Sequence, residues 1–170
     1  MPDIKPIETI YNGYRFRSRL EARWAVFFDA IGFDYEYEPE GFNLGNNCFY
    51  LPDFYLPEND SWVEIKGKDI DETTYRKLIK FCSAKCDLAN GGSKFRILIG
   101  KIQNEIGEGI KCFNYISKEE YRYMNKSNKI NYIEDGLFLE GLWIPNRTTE
   151  QINYGLSKAR MARFEYGECG

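Results

Sequence analysis

Leu51-Pro52-Asp53-Phe54-Tyr55-Leu56, the polar turn Pro57-Glu58-Asn59-Asp60, and Ser61-Trp62-Val63-Glu64-Ile65-Lys66-Gly67 form the stretch that decides how this chain is read. Two segments rich in aromatic and β-branched residues flank a short turn, which predicts a hairpin of strands at about 48–56 and 62–67. With a symmetric four-residue loop, Leu56 pairs with Ser61, and counting back along both strands sets Asp53 opposite Glu64. Lys66 lies two residues from Glu64 and so shares its face. Opposed residues have Cβ atoms ~4.5–5.5 Å apart. Two carboxylates that close repel, unless a divalent cation lies between them. Hard oxygen ligands with room for water and phosphate describe a Mg²⁺ site. A lysine beside it suits the positioning or deprotonation of an attacking water, or the offsetting of charge on a phosphate.

Upstream, residues 8–16 read as a short hairpin turning at Asn12-Gly13. Ser18 stands three residues before Glu21, a capping-box spacing, and opens a helix to about Ile31 that Gly32 ends. Leu20, Trp24, Phe27, Phe28 and Ile31 form its apolar stripe. Glu21 borders that stripe, where a carboxylate is costly unless it is paired or ligates something. Residues 33–38 alternate as a half-exposed strand. Downstream, Asp71 caps a second helix to about Asn90, and Phe95–Gly100 reads as a buried strand. Strand, helix and strand form a βαβ unit, so the last strand should run parallel to 62–67.

Beyond this point the reading predicts an edge strand at 112–116, a short helix from Ser117 to Tyr123 and a polar loop at 124–133. The apolar run Leu137–Ile144 must bury something, and a final helix begins at Thr148, with Gln151 completing a capping box. The expected organisation is one α/β domain over 1–170, with a core at about 8–116 and a C-terminal extension at about 117–170.

Composition narrows the chemistry. The 170 residues contain no histidine, which excludes Ser-His-Asp hydrolysis, Cys-His proteases and His-containing zinc sites. Five cysteines lack any CxxC spacing, so a metal or iron–sulfur cluster is disfavoured and they read as reduced thiols. No apolar stretch approaches the roughly 18–20 residues of a membrane span, and no apolar segment follows Met1-Pro2-Asp3-Ile4-Lys5 as in a signal peptide. A cytoplasmic protein is expected. The net charge of -3 gives no general attraction to nucleic acid. Local patches must supply it. Arg15, Arg17, Arg19 and Arg23, opposed there by Glu21 alone, are the candidate DNA contacts, with Lys68 and, more weakly, Lys158, Arg160 and Arg163.

The run Arg17-Ser18-Arg19-Leu20-Glu21-Ala22-Arg23-Trp24-Ala25, then Tyr37-Glu38-Pro39, Leu51-Pro52-Asp53-Phe54 and Trp62-Val63-Glu64-Ile65-Lys66-Gly67 resembles the PD-(D/E)xK nuclease superfamily, especially its small phage- and mobile-element-encoded members. The resemblance spans roughly residues 10–100 and is weaker in the last helix. It implies a restriction-endonuclease-like αβββαβ core, a mixed central sheet flanked by helices, with a C-terminal helical extension here. It also implies Mg²⁺- or Mn²⁺-dependent DNA cleavage with one or two ions. Asp53 and Glu64 take metal-binding roles, Lys66 a catalytic role and Glu21 the helix-borne acidic role, with Glu21 and Ile65 also grouped among the metal ligands. An endonuclease is expected, as a monomer, a homodimer or with a partner protein. The rivals are a DNA-binding module with little catalysis and a protein-interaction factor such as a phage inhibitor, for which Trp143 and the 137–144 run leave room. A bland alternative also applies to each site residue: a solvated hairpin face for Asp53, Glu64 and Lys66, and a helix-start carboxylate for Glu21. Glu36, Glu38 and Glu40, alternating with Tyr35 and Tyr37, read as a polar strand face in which one glutamate could support the site from behind.

Overall fold

The computed structural model describes residues 6–68, 70–85, 94–102, 111–115, 132–134, 137–140 and 146–164. The chain opens with the expected hairpin, β1 (Thr9–Tyr11) against β2 (Tyr14–Phe16). Asn12 and Gly13 turn it with φ of 47° and 80°, the left-handed backbone that a two-residue hairpin loop requires. Helix α1 (Arg19–Ala30) follows, with the Ser18 hydroxyl accepting the Glu21 N–H. It ends in a Schellman arrangement: Gly32, at φ 61°, donates to the Asp29 carbonyl and Phe33 donates to that of Phe28.

Among the described residues the main sheet has seven strands. Their spatial order is β10 (Tyr132–Glu134), β11 (Leu137–Glu140), β9 (Lys111–Tyr115), β8 (Lys94–Ile99), β7 (Ser61–Lys66), β6 (Phe54–Leu56) and β3 (Glu36–Tyr37). Among the described strands only β7 and β8 run parallel, and the intervening helix α2 (Glu72–Lys85) makes the βαβ crossover anticipated from sequence. Asp71 caps α2, its Oδ1 accepting the Thr74 N–H at 2.7 Å. A second small sheet joins β4 (Phe42–Asn43) to β5 (Phe49–Tyr50). The last helix, α3 (Thr149–Met161), starts in the expected capping box of Thr148 and Gln151.

Helices cover both faces of the sheet, as strand alternation demands. Val63, Ile65, Leu98 and Phe54 pack with Trp24, Phe27 and Phe28 of α1 and with Ile152 and Leu156 of α3. Trp62, Phe95 and Ile97 point the other way, onto Leu78, Phe81 and Cys82 of α2. Helix α3 reaches α1 through Gly155, where an added Cβ would stand 2.6 Å from Ile31 Cγ2. Arg147 fastens the approach to α3. Its Nε donates to the Ile31 carbonyl at 2.7 Å, and its terminal nitrogens bond the Gly32 carbonyl and the Glu58 carboxylate.

The structure departs from the sequence reading in four places. The span 48–56 is not one strand, because β5 leaves for the small hairpin with β4 and the main sheet resumes only at Phe54. The strand expected over 33–38 shrinks to Glu36–Tyr37, since Glu38 adopts φ 45°. Strand β9 is not an edge, because β11 pairs along its other side. The C-terminal part is not a purely helical extension: it returns two strands, β10 and β11, to the main sheet, and β10 begins inside the segment read as loop. The short helix expected at 117–123 lies outside the described residues, as do Trp143 and residues 86–90, over which the second helix is expected to run.

Candidate functional site

The β6–β7 hairpin builds the site. Its ladder pairs Leu56 with Ser61, Tyr55 with Trp62 and Phe54 with Val63, the register anticipated from the turn. Asp53 is the next residue back, at the position facing Glu64, but it sits in a bend just outside the strand. Two bonds hold it there: its carbonyl accepts the Glu38 N–H at 2.9 Å, and its carboxylate Oδ2 accepts the Ile65 N–H at 2.6 Å. The Asp53 side chain thus braces the hairpin crosswise. Glu64 is 4% exposed. Tyr50 donates its hydroxyl to Glu64 Oε2 at 2.5 Å, and Lys66 forms an ion pair with Oε1.

Glu21 reaches the same cleft from the first turn of α1. Its Oε1 accepts the Ser18 hydroxyl at 2.6 Å, while Oε2 accepts the Tyr37 hydroxyl at 2.6 Å and the Arg17 N–H at 3.1 Å. The capping box therefore closes one residue early, on Arg17 instead of Ser18. Glu21 acts on Asp53 through its charge, while its own oxygens are held by α1 and β3.

Burial, then the charges of Glu64 and Glu21, push the Asp53 carboxyl well above the ordinary carboxylate range, against the pull of the Ile65 N–H and Lys66. Burial works against the Lys66 ammonium, but Glu64, Asp53 and Glu21 together hold its pKa above the usual lysine value. Lys66 therefore stays charged. Burial also raises the Tyr50 and Tyr37 hydroxyls, each further held in its protonated form by the carboxylate it bonds. Glu38 is raised by burial and by Glu21 and Glu64, although Arg17 stands 2.8 Å from it. Glu38 thus belongs to this acidic cluster, the one member of the Glu36, Glu38 and Glu40 series that does.

Asp53, Glu64, Ile65, Lys66 and Glu21 all line one open cleft of about 740 Å³, with Arg17, Tyr50 and Lys77 also on its walls. The remaining arginine candidates do not share it. Arg15 is tied to Glu8 on the first hairpin, and Arg19, Arg23 and Lys68 are not among the residues that wall the cleft. Tyr50, Tyr37, Thr74 and Lys77 are site residues that sequence reasoning missed. A tyrosine hydroxyl announces no partner in sequence, and Lys77 arrives by way of α2. Lys158 stands over the Tyr154 ring on α3, away from the cleft lining.

The donor set suits a hard divalent cation: carboxylate oxygens crowded beyond what one ammonium offsets, in a cleft open to water. Among the described residues, no three His, Cys, Asp or Glu side chains already form a closed metal-binding group. Asp53 and Glu64, with the main chain of Ile65, are the residues that would hold the ion, and Glu21 and Glu38 would add negative potential behind them. Cys82 is buried in the α2 core cluster. Among the described residues no helix is long and apolar enough to cross a membrane. No family model, curated protein or solved structure matches the chain.

Proposed function

We propose that this protein is a Mg²⁺- or Mn²⁺-dependent nuclease that hydrolyses DNA phosphodiester bonds, an endonuclease with a restriction-endonuclease-like PD-(D/E)xK arrangement. One observation carries the reading: Asp53 and Glu64 are buried side by side at the wall of an open cleft, with the charged Lys66 on Glu64. Mutual repulsion of this kind is tolerated where a cation normally relieves it. A bound Mg²⁺ or Mn²⁺ would neutralise charge on the phosphate and make a water more acidic.

The chain's own groups have separable tasks. Asp53 and Glu64 present oxygens to the ion, and Tyr50 fixes the rotamer of Glu64. Lys66, held as an ammonium, suits the offsetting of charge on the phosphate better than the removal of a proton from water. Arg17 stands where the DNA backbone would pass. A single small site cuts both strands of a duplex either as a homodimer or by two successive nicks.

Incubation of purified protein with supercoiled plasmid tests the reading. Cleavage is expected to require Mg²⁺ or Mn²⁺ and to vanish in Asp53→Ala and Lys66→Ala; activity persisting in those variants would exclude this active site. A second reading is a DNA-binding or protein-interaction module with little catalysis. It draws on the occupation of both Glu64 oxygens by Tyr50 and Lys66, and of both Glu21 oxygens by Ser18, Tyr37 and Arg17. Binding without cleavage of any DNA would favour it.

A further inference from the structure

Phe49 is 63% exposed, whereas Phe42 and Tyr50 of the same small hairpin are buried at 7% and 6%. The two-residue alternation along β5 explains the contrast: Tyr50 turns inward to Glu64 and Phe49 turns out. Phe49 does not simply face bulk water. It lines the acidic cleft, and it also lines a neighbouring groove of about 1190 Å³ whose opposite wall is α2. Lys77 likewise borders both, so the groove and the cleft adjoin at these two side chains. Arg76, Lys77 and Lys80 lie along the α2 wall, with Glu72, paired to Arg76, as the acidic residue among them.

A positively charged track with an exposed aromatic ring, leading into a carboxylate site, has the chemistry of a single-strand path. Phosphates match the lysines, and the ring offers a stacking face. Within a duplex, base faces are covered by their neighbours, so a base that is unpaired or turned out of the helix offers Phe49 a stacking face at the least cost. We infer that this groove takes an unpaired DNA strand, with Phe49 stacking on one base and Lys77 and Lys80 meeting its phosphates. The inference rests on the nuclease reading and deepens it: the substrate carries unpaired nucleotides next to the scissile phosphate, as in a flap, bubble or free strand.

The test is fluorescence anisotropy of the full chain with Ca²⁺ in place of Mg²⁺. A labelled oligonucleotide is titrated as a single strand and as a blunt duplex. The wild type should prefer the single strand. Phe49→Ala should weaken single-strand binding by about 5- to 150-fold, the factor one base–aromatic stack carries, and leave duplex binding unchanged. Phe49→Trp should restore single-strand binding. Lys77→Ala with Lys80→Ala should flatten the salt dependence, by a log–log slope of about 0.7 for each phosphate that is no longer neutralised. Unchanged melting temperature and Mn²⁺ binding in Phe49→Ala would show that the fold and the carboxylate site are intact. If wild type binds and cuts DNA while Phe49→Ala does so equally well, or loses single strand and duplex alike, the unpaired-strand inference is overturned and the nuclease reading stands. If wild type neither binds nor cuts any DNA, both fall, and the exposure of Phe49 is left to a protein partner.

Discussion

Replacing Asp53 by Asn removes one negative charge from the cleft and keeps an oxygen for the Ile65 N–H. The new amide can also donate toward Glu64. In the metal-free protein Asp53 is buried against Glu64 and Glu21, and those charges, after burial itself, lift its carboxyl well above the usual range. Its ionised form is therefore a liability to the fold. Removing one buried like-charge interaction should stabilise the metal-free protein by on the order of 1–3 kcal/mol. For a chain of this size that raises the melting temperature by about 2–12 °C. The sign of the pH dependence is fixed by linkage. A carboxyl whose folded pKa is raised takes up a proton on folding, so the wild type loses stability as pH rises from the unfolded value near ~3.9 through the folded one. The advantage of Asp53→Asn should be full above that window and absent below about pH 4. Divalent metal reverses the comparison: at a thousand times its Kd, Mn²⁺ adds about 4.1 kcal/mol to the wild type and little to the variant. Differential scanning calorimetry in EDTA and in Mn²⁺, across pH 4–8, measures all of this. A variant that melts below wild type in EDTA at pH 7.5 would refute the reasoning, because Asp53 would then be a structural ion-pair partner and not a strained ligand.

Tyr50→Phe deletes the hydroxyl on Glu64 Oε2 and leaves a buried carboxylate short of a donor, so urea unfolding should report a loss of about 1–3 kcal/mol. Gly155→Ala inserts a methyl 2.6 Å from Ile31 Cγ2 and 2.9 Å from Phe27 Cδ2, both in a packed core; overpacking of about 1–3 kcal/mol should outweigh the helix-propensity gain of at most about 1 kcal/mol, and circular dichroism should show a lower melting temperature. Arg147→Ala removes the bonds to the Ile31 and Gly32 carbonyls and to Glu58, and amide hydrogen exchange should then speed up first at the end of α1 and in α3.

The site was largely legible because it lies on a local element. Leu56 and Ser61 pair across the turn as alternation predicts, and that register alone carries Asp53 to Glu64. Helix caps at Ser18, Asp71 and Thr148 were equally readable, since each is a bond between residues three apart. What escaped depends on tertiary approach. Tyr50 falls in the long strand expected over 48–56, whereas the turn at Gly45-Asn46-Asn47, with all three residues at positive φ, sets it in a separate small hairpin. Nothing in the sequence places the Tyr37 hydroxyl on Glu21, sixteen residues away. The arginine run shows the same limit: adjacency along the chain does not say that Arg15 turns to Glu8, or that Arg17 pairs with Glu38 at the wall of the cleft. The sheet's outer strands were hidden by their short, mixed sequences, which carry little periodicity.

The turn at Pro57–Asp60 lies at the far end of the hairpin from the chemistry, yet it sets the spacing of the site by simple counting. Adding or deleting one residue there would present the opposite side of one strand, carrying Asp53 away from Glu64. A bulge or a longer, five-residue turn would be needed to absorb such a change. Two added residues would preserve the match. Among natural variants of this chain that keep a tight turn, length changes in that loop should therefore come in even steps, a constraint separate from the contact that its Glu58 makes with Arg147.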